Sequence, residues 1–217
     1  MTDTSRHASG QAKSYDELRR YQRRRRYVLA LLIGLIFLAL LFVRSEAAPG
    51  QALHEYMEWI GGVLILVAIL GRTWCTLYIG GRKSAEIVTD GPYSVTRNPL
   101  YVFSATGAAG IGAMTGSIII ALAFAVLTWL AFLAVIQVEE RFLEQNFGDP
   151  YLRYMEQVPR FFPKPWLFRE SEMLAVKPKL LYRTFTDGLF FVLAFPFFEL
   201  VEGLQEAGIL PVILHVW

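Results

Sequence analysis

Two short stretches of this chain bring together side chains suited to holding charged ligands. The first runs from Val88 to Tyr101 and reads Val-Thr-Asp-Gly-Pro-Tyr-Ser-Val-Thr-Arg-Asn-Pro-Leu-Tyr. Gly91-Pro92 signals a turn, and Pro99 disfavours helix at Asn98. Tyr93, Arg97, Asn98 and Tyr101 thus stand where a polar, turn-rich segment enters an apolar helix and backbone groups lie unpaired. The second stretch runs from Glu139 to Tyr151 and on to Tyr154 and Val158-Pro159-Arg160. It opens on adjacent carboxylates, Glu139 and Glu140. It also carries Asp149-Pro150, a cap and first-turn pair for a new short helix. Taken singly, Arg97 reads as a headgroup anchor and the glutamates as a membrane exit. Carboxylates partly withdrawn from water beside Arg and Tyr are a site candidate, able to hold a cation by charge-assisted hydrogen bonds.

The elements that must position these residues are membrane helices. The chain is 54% hydrophobic and only 18% charged, and its apolar residues fall in blocks too long for a soluble core. A bilayer crossing takes roughly 20 apolar residues. Tyr27–Val43 is one block; Trp59–Ile79 is a second, interrupted by Arg72. Leu100–Val138 is long enough for two crossings folded at Thr115-Gly116-Ser117. Leu189–Trp217 is weaker, because Glu199, Glu202 and Glu206 lie in it and Pro196 suggests a broken helix. The expected fold is all-α, a polytopic membrane bundle of about five transmembrane helices. Two helices joined by a three-residue turn run antiparallel, so Arg97–Tyr101 and Glu139–Glu140 are driven to one membrane depth. Ser104, Ala108, Gly112 and Gly116 recur every fourth residue, a smooth stripe that suits close packing against the next helix or a wall thinned for a ligand.

Charge orients the bundle. Arg19, Arg20 and Arg23 through Arg26 precede the first block, and the stretches 80–99 and 139–184 are rich in Lys and Arg. The stretch 44–58 holds Arg44 against Glu46, Glu55 and Glu58. The positive-inside rule places the N-terminus and both basic stretches in the cytoplasm. The expected organisation is a basic tail over 1–26, a first helix and external loop over 27–58, a core over 59–165 and a C-terminal segment over 166–217. Ser14 to Glu17 has capping-box spacing. A net charge of +2 argues against a nucleic-acid partner. Cys75 reads as a packing residue, and His7, His54 and His215 are too scattered to suggest a metal site.

Gly-Pro-Tyr, Arg-Asn-Pro-Leu-Tyr, a small-residue helix, Glu-Glu, Phe-Gly-x-x-Tyr-x-x-Tyr and Val-Pro-Arg together resemble the isoprenylcysteine carboxyl methyltransferase and phospholipid methyltransferase superfamily. The resemblance covers about residues 59–165. It implies an integral membrane methyltransferase that uses S-adenosylmethionine and a lipophilic acceptor, with the cofactor pocket facing the cytoplasm. It implies that Ala85, Glu86, Ile87, Val88, Tyr93, Asn98, Pro99, Leu100 and Tyr101 line the cofactor, that Glu139 holds its polar end, and that Arg97, Tyr101 and Glu140 serve the chemistry. Two departures matter. Asn98 stands where the family usually has His, which removes a titrating base. Val135 stands where the prenylcysteine branch has an Arg for the substrate carboxylate, which favours another acceptor such as a phospholipid amine. A sterol-type reductase using NADPH and a non-catalytic membrane scaffold are the competing readings.

Overall fold

The computed structural model describes residues 27, 31, 34–46, 51–83 and 85–216. The Arg-rich run, the capping-box sequence and much of the first apolar block lie outside the described residues. Residues 34–40 are helical and lead into strand β1 (Val43–Ser45). Seven helices follow: α1 (Ala52–Ile79), α2 (Pro92–Val95), α3 (Pro99–Ala113), α4 (Ile118–Phe147), α5 (Asp149–Gln157), α6 (Pro178–Leu189) and α7 (Ala194–Glu206). Strand β2 (Leu214–Val216) pairs in parallel with β1. The chain is thus a helical membrane bundle with one small strand pair.

Three helical segments among the described residues are long and apolar enough to cross a bilayer: Ala52–Ile79, Ile118–Phe147 and Pro178–Glu206. The structure departs from the sequence expectation in three places. The expected external loop 44–58 ends early, because α1 already begins at Ala52. The helix expected from Leu100 has 15 residues, about 22 Å at 1.5 Å per residue, short of a hydrocarbon core of roughly 30 Å. The last apolar block shifts: a helical rod starts at Pro178, inside the stretch expected to be cytoplasmic, and ends at Glu206, after which the chain turns into β2. Its 3-10 break falls at Phe190–Leu193, just before Pro196. Pro196 has no N–H to give the Val192 carbonyl, so the tighter turn lies where the α-helical bond is missing.

Helix α3 is the packing centre, lying along both α1 and α4. Its glycines explain the close approach. A Cβ on Gly110 would meet the Gly61 carbonyl oxygen of α1 at 2.8 Å, and one on Gly112 would meet α4 backbone at 2.8 Å. The four-residue stripe therefore divides its work. Gly112 packs on α4, whereas Ser104 and Ala108 line an apolar cavity. Gly116 turns the chain with φ of +68°, and a Cβ there would strike the His54 ring.

The α3–α4 turn fixes the ends of the bundle. At one end, Ser45 Oγ donates to the Gly116 carbonyl at 3.0 Å, beside the β1–β2 pair. At the other, the start of α3, the end of α4 and the segment 80–98 converge, as the antiparallel argument expects.

Candidate active site

Proline and glycine build the site locally. Pro99 occupies the first turn of α3, where its missing N–H costs nothing. That leaves Asn98 non-helical (φ −127°, ψ 46°), with its side chain turned toward α4. Helix α5 begins at Asp149, capped by Gly148 at φ +58°; the cap is thus one residue earlier than Asp149 itself, and no side chain bonds there. The segment after α5 straps the first stretch down. Arg97 N–H donates to the Pro159 carbonyl at 2.9 Å, and Lys164 N–H to the Val95 carbonyl at 2.9 Å. Thr96 Oγ1 bonds the carbonyls of Arg160 and Phe161. This strap carries Arg160 to α4.

The two adjacent glutamates have different surroundings. Glu140 is buried, and its Oε2 accepts from Arg160 Nε at 2.9 Å and from the same guanidinium's Nη2. Its Oε1 accepts from Asn98 Nδ2 at 3.3 Å and lies 3.7 Å from Arg97 Nη1. Glu140 therefore faces the protein interior, not the headgroups. Glu139 is partly exposed. Its Oε2 accepts from the Tyr101 hydroxyl at 2.8 Å, and its Oε1 lies 2.8 Å from Lys83 Nζ. Lys83 Nζ also stands 3.4 Å from the Tyr101 oxygen.

A pocket opens over this pair. It brings together Glu86, Ile87, Val88, Tyr93, Arg97, Asn98, Leu100, Tyr101, Glu139 and Glu140 of the expected set. Ala85 and Pro99 do not line it. The expected set lacked Ile79, Lys83, Leu143, Tyr151 and Tyr154, which do. Arg160 holds Glu140 from beside it. The signal for Arg160 was its place in Val-Pro-Arg; Lys83 carried no signal beyond its charge.

Burial pushes the Tyr93 phenol well above its ordinary pKa, and burial also raises Tyr151 and Tyr154. All three keep their protons at physiological pH. Tyr154 uses its proton on the Tyr93 carbonyl at 2.7 Å. The hydrogen bond to Glu140 raises Arg160 further, so that guanidinium stays charged. Arg82 holds the exposed Glu86 carboxyl below the usual range. Two buried polar atoms at the pocket have no partner among the described residues: Tyr93 Oη and Arg97 Nε.

The donor set suits a ligand bearing both an ammonium and a carboxylate. Lys83 Nζ already shows where an ammonium binds Glu139, and the unpaired Tyr93 and Arg97 atoms are donors for oxygens. The pocket encloses about 70 Å³, whereas small-molecule sites usually exceed roughly 300 Å³. A ligand of that size would require the half-exposed Lys83 and the exposed Glu86 to swing outward. Among the described residues, no group of three or more His, Cys, Asp or Glu side chains is placed to hold a metal ion.

Residues 57–150 match the model of the phospholipid methyltransferase family. The chain is 33% identical over 213 residues to the cobalt-zinc-cadmium resistance protein CzcN of Cupriavidus metallidurans, covering 97% of each. It is 41% identical over 141 residues to the nickel-cobalt-cadmium resistance protein NccN of Alcaligenes xylosoxydans, covering 62% of this chain and 66% of that one. It is 31% identical over 148 residues to protein-S-isoprenylcysteine O-methyltransferase B of Arabidopsis thaliana, covering 63% of this chain and 73% of the plant protein. No solved structure matches the chain. The chain belongs to the isoprenylcysteine carboxyl methyltransferase and phospholipid methyltransferase superfamily, a family of integral membrane methyltransferases.

Proposed function

We propose that the pocket binds S-adenosylmethionine and that the protein moves its methyl group to a lipophilic acceptor, with a phospholipid amine preferred. The observation that carries this is Glu139, held by Tyr101 and an ammonium in a pocket with two unpaired buried polar atoms. When bound, the cofactor supplies an electrophilic methyl on a sulfonium. Glu139 takes the ligand ammonium in place of Lys83. Arg97 and Tyr93 offer hydrogen bonds to the ligand's oxygens. Glu140 positions Arg97 and Asn98 rather than meeting the ligand, because its own oxygens are taken by Arg160, Asn98 and Arg97. Tyr101 stands at the inner wall, where an acceptor would arrive from the membrane. In such a site the rate gain comes chiefly from alignment of methyl and acceptor and from exclusion of water. Val135 is buried against Tyr101 and brings no charge to a prenylcysteine carboxylate, which favours a different acceptor.

The test is mass spectrometry of the purified protein for retained S-adenosylmethionine or its demethylated product, alongside calorimetric titration. Retention of either molecule, with saturable binding, is expected. Failure of both measurements overturns the reading.

We also propose that the site end is cytoplasmic, on the charge asymmetry of the loops. The native Cys75 is buried, so it contributes little background to thiol labelling. Met173→Cys, at a strongly exposed position of the site end, should resist an impermeant reagent in intact cells. Ile209→Cys at the opposite end should react. The reverse pattern overturns the orientation.

Two relatives are named for metal resistance. We propose that any such role of this chain runs through methylation. Metal tolerance lost on deletion should then return with the wild-type protein and not with Glu139→Gln.

A further inference from the structure

Arg72 interrupts the apolar run of α1 seven residues before Ile79, about 10 Å from that helix end. Its Nη1 donates to Ser104 Oγ of α3, and its Nε is buried without a partner among the described residues. Its guanidinium carbon lies 6.0 Å from the centre of the Phe191 ring. Among the described residues no carboxylate is within ion-pair distance of it. Asp187 of α6, exposed and 3.7 Å from Arg183, acts on Arg72 only from beyond ion-pair distance. A guanidinium does not shed its proton, and an unmatched charge within a membrane segment is costly to hold. A serine hydroxyl joins α1 to α3 but does not neutralise that charge. The remaining demand is for an anion.

Arg72 and Ser104 border a cavity of about 470 Å³ between α1, α3, α4 and the 190–197 segment. Phe37, Phe124, Phe132, Phe191 and Phe197 make its walls. Leu127 and Phe190 form an exposed rim on the bundle surface, a lateral way out for alkyl chains. Phe132 packs on Tyr101 with ring centres 4.8 Å apart. Tyr101 also lines the polar pocket at Glu139. One aromatic pair thus separates the two cavities. Tyr101, Ser104, Ala108 and Ile111 follow one another on a single face of α3.

We infer that this cavity is the acceptor site and that Arg72 holds the phosphate of a phospholipid there. The inference rests on the methyltransferase reading above. Ser104 lies three residues beyond Tyr101, about 4.5 Å along the helix axis. A phosphate at Arg72 would place the amine of a two-carbon ethanolamine spacer at the Tyr101–Phe132 pair, beside the polar pocket. The acyl chains would run on past Ala108 and leave at Leu127 and Phe190. A fatty-acid carboxylate held at Arg72 would leave the accepting oxygen about 4.5 Å along the helix axis from that pair, which favours the phosphate.

The test is native mass spectrometry of the detergent-solubilised protein with phosphatidylethanolamine, with diacylglycerol of the same chains and with oleate. Wild type should bind phosphatidylethanolamine over diacylglycerol by tenfold or more. Arg72→Met should erase that preference, a roughly ten- to hundredfold loss for one charge-assisted contact. Arg72→Lys, which keeps the charge without the planar fork, should retain part of it, and Ser104→Ala should lose little. S-adenosylmethionine affinity by calorimetry should be unchanged in Arg72→Lys and Ser104→Ala, which also shows that these variants fold. A preference for oleate, or a phospholipid preference that survives in both Arg72 variants, overturns the inference. Arg72-dependent phospholipid binding in a protein that binds no S-adenosylmethionine would uphold the phosphate site and overturn the methyltransferase reading.

Discussion

The two ends of the bundle both gather charge, and they use it differently. At the end of the β1–β2 pair, His54 Nε2 lies 3.5 Å from Glu58 and 3.4 Å from Glu202, and Arg44 bonds Glu206 at 2.8 Å. Those groups face one another and join β1, α1 and α7; Gln205 Oε1 is the buried atom of that end without a partner among the described residues, and it does not border the polar pocket. At the other end, Glu140 is satisfied by Arg160, Asn98 and Arg97, while Glu139 is shared between Tyr101 and a half-exposed lysine. Unpaired Tyr93 and Arg97 atoms remain there. A cluster whose members face one another holds structure; on the proposed reading, a cluster with exchangeable and unmatched members beside a pocket serves a ligand. Adjacent residues Glu139 and Glu140 fall on opposite sides of that line.

The sharpest way to break this contrast is Glu140→Leu. Removing a buried carboxylate strands Arg97, and such a loss costs about 3–5 kcal/mol. The lower part of that range is expected, since Arg160 is partly solvated. Thermal melts in detergent should show the largest fall of any site variant; a melt like wild type would remove Glu140 from its structural role. Glu139→Gln should leave the melt nearly unchanged and weaken S-adenosylmethionine binding about ten- to hundredfold, a loss of roughly 1.5–3 kcal/mol. Calorimetry decides it, and undiminished affinity would take Glu139 out of the ligand's reach.

At the opposite end, His54→Ala leaves the Glu58 and Glu202 carboxylates facing each other. About 1–3 kcal/mol of stability should go, with S-adenosylmethionine affinity unaltered. Weakened binding in a well-folded His54→Ala protein would show that the two ends are coupled. The smallest effect is expected from Tyr93→Phe. The hydroxyl it removes has no partner among the described residues, so the melt should be equal to or above wild type, with affinity down by up to about tenfold. A large fall in stability would mean that the hydroxyl is already bonded in the unliganded protein.

The pKa shifts set one further boundary on these measurements. Burial raises Tyr93, Tyr151 and Tyr154 above their ordinary values. They stay neutral below pH 10, so any stability that depends on these protons is lost only at higher pH. A change in S-adenosylmethionine binding between pH 6 and 9 must come from other groups.

Much of the candidate site's geometry was legible in the sequence. Proline at the start of α3 and a glycine-containing turn between α3 and α4 are local features, with chemical rules that hold in any fold. From them the approach of the Arg97–Tyr101 segment to the Glu139–Glu140 pair follows by antiparallel geometry; which residue meets which glutamate does not. The apolar blocks likewise determined that the chain is a membrane bundle, because hydrocarbon admits only helices of that length and composition. Their bounds were less legible, since apolarity does not mark where a helix stops: α3 is short, and the last rod begins at Pro178. Tertiary structure alone decided which glutamate is buried, because residues 100° apart on one helix differ only in what packs against them. It also decided the place of Lys83 and Arg160, which arrive from segments distant in the chain, and it turned Arg72 from an interruption in an apolar run into a charge at the edge of a cavity. Sequence periodicity assigns a residue to a face of its own helix; the partner across that face comes from another part of the chain, and only the packed bundle supplies it.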